Sequence, residues 1–353
     1  MNNSLVRESK VSVALDDVRA RVQPVLRSAV DSLPEQVRAV AGYHFGWCDQ
    51  RGASVVVGRS SGKMIRPALV IFAAKAVARG GDPWKLRASV LRAAGAIELV
   101  HNFSLVHDDA MDGDAMRHHR ETVWKAFGFP IAILAGDALL ALANQILTSD
   151  SSSSITPAAV EMLNDAVQKL VEGQFQDLAF ERTESVGLEE CLHMASRKTS
   201  SLMAVSCRLG GLFGGGTTQQ VEALHAFGTH LGLAFQLADD LMGLSGDPSS
   251  TGKPANNDLW SRKKSLPVVF ALNSETDAAH ELITLYRKDS RWEQADVDHA
   301  LVLIEQAGGV EWAQAEASRC CELAISCLRG ANLRPDAAEV LADLVRLSAK
   351  RVS

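Results

Sequence analysis

Residues 105–124 read LVHDDAMDGDAMRHHRETVW, a group of carboxylates followed closely by two arginines. The first three carboxylates are Asp108, Asp109 and Asp112. Positions four apart lie on one face of a helix, so Asp108 and Asp112 are expected to point the same way, one turn apart. Carboxylates this close repel one another unless a cation lies between them. Oxygen ligands without histidine or cysteine favour Mg²⁺, which usually shares its coordination shell with waters and substrate phosphates.

The arginines of this stretch, Arg117 and Arg120, follow the carboxylates within three helical turns. An acidic segment followed by a basic one suits a site in which a metal ion and guanidinium groups surround the oxygens of a diphosphate. A solvated, charged helix end would have the same composition. The stretch alone therefore leaves both interpretations open.

A second stretch, residues 235–253, reads FQLADDLMGLSGDPSSTGK and repeats the arrangement. Asp239 and Asp240 end an apolar helical run, and a glycine-containing turn and Lys253 follow. Two such helix ends, far apart in sequence, could face each other across one cavity. Gly243 occupies the last position of a simple DDxxD pattern. This favours Asp239 as a ligand, with Asp240 second.

Composition predicts an all-α protein that forms a single large helical bundle. Hydrophobic residues make up 47% of the 353 residues, enough for a large core. Alanine, leucine and valine dominate the apolar segments, which suits helices. No strand-like alternation persists, and the chain contains neither GxGxxG nor GxSxG. The net charge of −6 gives no indication of a basic surface for nucleic acid.

The cysteines and the N-terminus indicate a cytoplasmic protein. None of the six cysteines has CxxC or another metal-binding spacing, so buried free thiols in a reducing compartment are expected. Residues 1–10 lack the apolar core of a signal peptide and are predicted to be flexible, ahead of one domain over residues 11–353. The apolar run Ile131–Leu147 contains Asp137 and Asn144. It predicts a core helix rather than a transmembrane segment.

The ordered motifs of the chain resemble those of the trans-type isoprenyl diphosphate synthases, or polyprenyl synthetases. They are GKMIRP (62–67), HNFSLVHDDAMD (101–112), GQFQDL (173–178), RKTSSL (197–202), FQLADD (235–240), GDPSSTGKP (246–254) and DLWSRKKSLP (258–267). The set spans nearly the whole chain and is most similar to that of short-chain geranylgeranyl diphosphate synthases. The resemblance implies the isoprenoid synthase class I fold, a helical bundle around a deep apolar cavity, and a homodimer.

The resemblance also implies a reaction, the head-to-tail condensation of isopentenyl diphosphate with dimethylallyl, geranyl or farnesyl diphosphate. About three Mg²⁺ ions would bind the allylic diphosphate. Their implied ligands are Asp108, Asp109, Asp112 and Asp239, with Asp240 second. Arg117, Lys198 and Lys253 would neutralise the departing pyrophosphate. Isopentenyl diphosphate would be held by Lys63, Arg66 and His101, and the remaining predicted substrate-binding residues are His118, Thr199, Gln236 and Phe103.

Phe103 is the candidate for the floor of the hydrocarbon cavity. It precedes Asp108 by five residues, roughly 7.5 Å along a helix. In similar enzymes without an insertion in the first aspartate motif, an aromatic residue here accompanies a C20 product. Ser104 is too small for the double aromatic block of some C15 synthases. The sequence therefore predicts geranylgeranyl diphosphate, with farnesyl diphosphate as the alternative and core packing as the simplest role for Phe103.

Two residues depart from the family pattern. His118 stands where a second arginine is usual, and Glu121 where a proline is usual. A neutral histidine is a weaker phosphate ligand than arginine and cannot bind bidentately. Arg120 could compensate. The departure keeps two alternatives open: a class I terpene cyclase that ionises a prenyl diphosphate without isopentenyl diphosphate, and a non-catalytic subunit of a heteromeric synthase. Retention of Lys63, Arg66 and His101 favours the synthase.

Overall fold

A computed structural model describes residues 2–55, 62–80, 87–149, 154–245 and 256–349, and these residues are mostly helical. The first ten helices are α1 (Asn2–Asp31), α2 (Glu35–His44), α3 (Ile65–Val77), α4 (Ala88–Asp112), α5 (Val123–Phe127), α6 (Phe129–Thr148), α7 (Thr156–Arg182), α8 (Leu188–Ala195), α9 (Ser201–Gly214) and α10 (Thr218–Ser245). The others are α11 (Asn257–Trp260), α12 (Leu266–Leu272), α13 (Asp277–Tyr286), α14 (Gln294–Gln306), α15 (Gly309–Arg329) and α16 (Pro335–Ala349). The predicted all-α class is confirmed.

The short elements between these helices carry much of the polar chemistry. A two-stranded antiparallel hairpin pairs β1 (Met116–Arg117) with β2 (Arg120–Glu121). A π-helical turn, Ser196–Ser200, joins α8 to α9. Helix α1 begins at Asn2, within the segment predicted to be flexible. That flexibility and the single domain over residues 11–353 remain predictions.

The described chain forms two compact units. The first comprises residues 1–165, 205–225 and 331–343. Its centre is α4, which is buried on every side between Ala93 and Val100 and packs against α1, α3 and α6. A helix that is buried on every side must be surrounded by other helices. The carboxylates of the first aspartate motif lie at its C-terminal end. The first aspartate motif therefore stands on a buried, rigid helix.

Helix α6 packs along α4 in the first unit. Among the described helices it alone is long and apolar enough to cross a membrane, judged by length and composition. Leu139, Leu142 and Ala143 are buried, whereas Asp137 is exposed. The packing along α4 agrees with the predicted core helix.

The second unit comprises residues 166–204, 226–330 and 344–353. Two buried apolar clusters lie here around the end of α10. One contains Leu237 and Leu241, and the other contains Leu244. The second aspartate motif is thus anchored on both sides by packing. The six cysteines are free thiols, four of them buried, as predicted.

Candidate active site

The first aspartate motif forms the C-terminal end of α4. Gly113 ends the helix with a left-handed φ of 71°, and its backbone N–H bonds to the Asp109 carbonyl. Asp109 is only 2% exposed, whereas Asp108 is half-buried and Asp112 is exposed. The predicted face shared by Asp108 and Asp112 is therefore the accessible one.

Arg117 pairs with the buried carboxylate of this motif. Its Nε donates to Asp109 Oδ1 at 2.8 Å, and its Nη2 lies 2.7 Å from the same oxygen. Burial alone would lower the pKa of the Arg117 guanidinium, but the contact with Asp109 raises it overall. Arg117 consequently stays charged, and Asp109 is its internal counterion.

The remaining acidic side chains suit a metal ion that brings further ligands with it. No group of three or more histidine, cysteine or acidic side chains able to hold a metal was found among the described residues. Asp108 and Asp112 offer hard carboxylate oxygens one turn apart. Mg²⁺ is commonly bound by one or two carboxylates plus phosphate oxygens and waters. The two aspartates fit Mg²⁺ that arrives with a diphosphate.

Several basic side chains of the first unit converge near this motif. Arg66, at the start of α3, donates from Nη1 to His101 Nε2 at 3.1 Å. Burial, assisted by Arg66 and Arg117, lowers the pKa of His101 well below its usual value. Burial also lowers the pKa of His118, with contributions from Arg117, His119 and Lys63. The predicted isopentenyl diphosphate residues thus share one positively charged environment, which favours an anion.

Arg120 is held by backbone carbonyls of the segment that ends α2. Its two terminal nitrogens donate to the carbonyls of Tyr43 and Cys48 at 2.9 and 3.0 Å, and its guanidinium lies 4.4 Å from the centre of the Tyr43 ring. The Glu121 carbonyl accepts a bond from the Tyr43 hydroxyl. These contacts give Arg120 a role in fixing the hairpin, and its compensating phosphate contact stays a prediction. His118 lies at the hairpin turn, between Arg117 and Arg120.

Phe103 is buried within the first unit and contacts the next turn of α4. It is 6% exposed, and its ring packs edge-on against His107 with 4.9 Å between centroids. His107 in turn donates from Nε2 to the Ile133 carbonyl at 3.0 Å. A side chain at Gly136 would overlap the His107 ring. Phe103 is therefore firmly held, as both a cavity floor and a core residue would be.

In the second unit Asp177 is the centre of a basic cluster. Lys198 Nζ lies 2.7 Å and Lys263 Nζ 3.2 Å from Asp177 Oδ2. Burial alone would raise the pKa of Asp177, but the two lysines hold it below its usual value. The sequence assigned no site role to Asp177, which lies in the GQFQDL motif, and predicted for Lys263 only positive charge near the site. Both amide atoms of buried Gln174 lack a hydrogen-bond partner among the described residues.

A hydrogen-bonded chain orders the second aspartate motif. Thr199 Oγ1 donates to Gln236 Oε1, and Gln236 Nε2 donates to Asp240 Oδ1 at 2.6 Å. The other oxygen of Asp240 accepts the Leu266 N–H at 2.9 Å. Burial raises the pKa of Asp240 to about 7. Asp239 is less buried than Asp240, which supports the preference for Asp239 as a ligand.

Close helix approach positions Lys198 and Thr199. A side chain at Gly173 of α7 would overlap the backbone of Lys198, and one at Gly232 of α10 would overlap Ser200. Gly173 precedes Asp177 by four residues, and Gly232 precedes Gln236 by four. Each glycine therefore lets its helix approach the π-helical turn closely. Asp177, the partner of Lys198, and Gln236, the partner of Thr199, follow these glycines by one helical turn. Lys253, predicted to bind the diphosphate, lies outside the described residues.

Comparisons with known proteins identify the family of the chain. The sequence model of the polyprenyl synthetase family matches residues 53–304. The chain is 46% identical over 301 residues to (2E,6E)-farnesyl diphosphate synthase of Mycobacterium tuberculosis, covering 84% of this chain and 81% of that protein. It is 44% identical over 322 residues to geranylgeranyl diphosphate synthase of the same species, covering 91% and 90%. The crystal structure of a polyprenyl synthetase from Streptomyces coelicolor superposes with a TM-score of 0.87 at 39% identity, covering 96% and 99%.

Proposed function

The chain belongs to the polyprenyl synthetase family, and we propose that it condenses isopentenyl diphosphate head-to-tail with an allylic diphosphate to give all-trans geranylgeranyl diphosphate. It is a prenyltransferase that makes a short-chain prenyl diphosphate. The observation that supports condensation best is the Arg66–His101 contact beside Lys63 and Arg117. A cyclase needs no site for a second diphosphate. Basic side chains predicted to hold isopentenyl diphosphate therefore favour the synthase.

The proposed mechanism distributes charge between two diphosphates. Mg²⁺, when bound by Asp108, Asp109, Asp112 and Asp239, supplies charge neutralisation to the leaving diphosphate. Arg117, Lys198 and Lys253 stabilise the pyrophosphate as the allylic C–O bond breaks. Lys63, Arg66 and His101 hold isopentenyl diphosphate so that its double bond attacks the allylic carbon. The pyrophosphate then accepts the proton that the new product loses, so no protein nucleophile is required.

We propose a C20 product, with Phe103 as the side chain that limits chain growth along α4. Its burial and its contact with His107 support a rigid floor. Ser104 is small and donates its hydroxyl to the His101 carbonyl at 2.7 Å. A C15 product is the second candidate, since one similar relative is named a farnesyl diphosphate synthase.

The homodimer is also a proposal, supported by an exposed apolar face on α6. Ile131 and Leu134 are three residues apart, which puts them on one side of the helix, and they are 40% and 60% exposed. Contiguous exposed apolar side chains commonly mark an interaction surface. A second copy of the chain would cover this face, and we propose that the dimer acts in the cytoplasm.

Product analysis tests the proposed reaction. The purified protein is incubated with Mg²⁺, radiolabelled isopentenyl diphosphate and each allylic primer, and the dephosphorylated products are sized. A labelled C20 alcohol is expected. A cyclic hydrocarbon made from the primer alone, without label, would overturn the synthase in favour of a cyclase. A protein that makes neither would be a non-catalytic subunit.

Substitution of Phe103 tests the proposed chain length. Phe103→Ala removes the floor, so products longer than C20 are expected from the same assay. Phe127→Ala is a matched control, because that ring packs against Tyr43 on another helix and is not a floor candidate. Unchanged product length in Phe103→Ala would return Phe103 to simple core packing.

A further inference from the structure

A series of hydrogen-bonded side chains in the first unit has no role in the mechanism above. It links Glu98 and Asn102 of α4 to His44, the last residue of α2. Asn102 Nδ2 donates to the Glu98 carbonyl at 2.7 Å and contacts Glu98 Oε1 at 3.3 Å. Asn102 Oδ1 lies 2.9 Å from His44 Nε2. Glu98 and Asn102 are buried, while His44 is half-buried.

These hydrogen bonds determine which nitrogen of His44 carries the proton. Because Asn102 Nδ2 donates to Glu98, its Oδ1 is the atom that faces His44 and can only accept. Nε2 of His44 must therefore be the donor. A neutral His44 then has a lone pair on Nδ1, and that nitrogen becomes a donor only when the ring takes a second proton.

Positive charge of the hairpin lies close to His44, since Arg120 donates to the carbonyl of the neighbouring residue, Tyr43. Burial lowers its pKa to about 4, and Arg117, His118 and Arg120 of the hairpin contribute to the shift. His101 of α4 also interacts electrostatically with His44. Asn102 is the hydrogen-bond partner on the opposite side, and it separates His44 from Glu98. A bound anion would offset this positive charge and favour a protonated ring.

The hairpin explains why a further cation is needed here. His118 replaces an arginine of the family pattern, and Arg120 is held by the carbonyls of Tyr43 and Cys48. We propose that His44 is a further binding residue for the diphosphate of isopentenyl diphosphate and that it takes up a proton from solvent when this anion binds. The inference rests on the proposed function, since it assumes that isopentenyl diphosphate is the substrate held by Arg66 and His101.

Calorimetric titration with isopentenyl diphosphate alone tests the inference without turnover. Titrations at pH 7 in two buffers with different ionisation enthalpies give both the affinity and the number of protons taken up. A charge-assisted hydrogen bond predicts that His44→Gln binds about ten- to a hundredfold more weakly and takes up fewer protons than the wild type. His280→Gln, at an exposed position of the second unit, is the matched control.

Steady-state kinetics separate binding from general damage to the fold. His44→Gln is expected to raise KM for isopentenyl diphosphate while KM for the allylic substrate changes by less than about twofold. Adding His118→Arg restores the missing cation, so the double variant should regain most of the affinity. A structural role for His44 would raise both KM values and would not be rescued at position 118.

The outcomes also distinguish this inference from the proposed function. A folded His44→Gln protein with unchanged affinity and unchanged proton uptake overturns the role of His44, even if the wild type condenses its substrates normally. A wild type that binds isopentenyl diphosphate with proton uptake, loses both in His44→Gln and yet forms no condensation product would retain the binding site and overturn the synthase activity.

Discussion

Asp108 and Asp109 are adjacent in sequence but differ in what surrounds their charge. Asp109 is the buried partner of Arg117, whereas Asp108 lies on the more accessible side of α4. Removing one member of a buried ion pair leaves an uncompensated charge and costs about 3–5 kcal/mol. A half-buried carboxylate such as Asp108 is screened by water, so its substitution is expected to cost less stability than that of Asp109.

Asparagine substitution at each position should therefore separate stability from activity. Asp109→Asn is expected to lower the free energy of unfolding by about 3 kcal/mol, because Arg117 loses its counterion. Asp108→Asn should cost less stability than Asp109→Asn, because water screens the half-buried carboxylate, but it should reduce kcat at least about a hundredfold. Urea unfolding and steady-state assays measure the two quantities. Equal loss of stability in both variants would contradict the assignment.

The lowered pKa of His44 makes the free energy of unfolding depend on pH. Between its ordinary pKa of 6.5 and its folded pKa of about 4, the unfolded chain holds a proton on this ring that the folded protein does not. The unfolded state thus binds more protons in this window, and stability falls as the pH is lowered through it. Above pH 6.5 this cost is absent.

His44→Gln should remove that part of the pH dependence. Urea unfolding at pH 7.5 and pH 5 is expected to show a smaller loss of stability for the variant than for the wild type, whatever its absolute stability. The matched variant His280→Gln should keep the wild-type difference. The same pH dependence in all three proteins would contradict the depressed pKa of His44.

At the scale of elements, the π-helical turn depends on glycines of the neighbouring helices. Gly173 has no room for a side chain against the Lys198 backbone, and backbone atoms cannot move as a flexible side chain can. Gly173→Ala is expected to destabilise the protein by about 1–3 kcal/mol and to reduce kcat, because Lys198 moves away from Asp177. Urea unfolding and kinetics of this variant test the prediction.

Gly330→Ala provides the matched control for that substitution. Gly330 ends α15 in the same unit with an ordinary φ of −88°, and nothing would contact its added side chain. Its stability and kcat should stay close to those of the wild type. A Gly173→Ala protein that behaves like Gly330→Ala would show that the close approach is not required.

The sequence predicts some of these elements better than others. Apolar spacing and ordered motifs predict the helical class and place Asp108 and Asp112 on one accessible face. The π-helical turn escapes such reasoning because it depends on Gly173 and Gly232, which lie on helices distant in sequence. The role of Arg120 escapes it too, since its partners are backbone carbonyls that carry no side-chain signal. His44 likewise gains its environment only when α2 meets α4 and the hairpin.

At the scale of the whole molecule, metal binding and substrate binding should be linked. Among the described residues no cluster of three ligands awaits a metal, and the accessible carboxylates Asp108 and Asp112 leave most of an octahedral shell to other oxygens. Within the second unit Asp239 is half-buried, and the oxygens of neighbouring Asp240 already accept hydrogen bonds. Mg²⁺ alone is therefore expected to bind weakly. A diphosphate alone is also expected to bind weakly, because its oxygens would be repelled by the carboxylates.

Thermal unfolding with each component separately and together tests this linkage. Mg²⁺ alone or inorganic pyrophosphate alone should raise Tm slightly, whereas both together should raise it by more than the sum. A ligand at a hundred times its Kd stabilises the folded state by about 2.7 kcal/mol, a shift that is easily measured. Asp108→Asn should abolish the joint effect, while an exposed aspartate of the second unit, replaced as Asp298→Asn, should preserve it. A large shift with Mg²⁺ alone would instead indicate a preformed metal site within the chain.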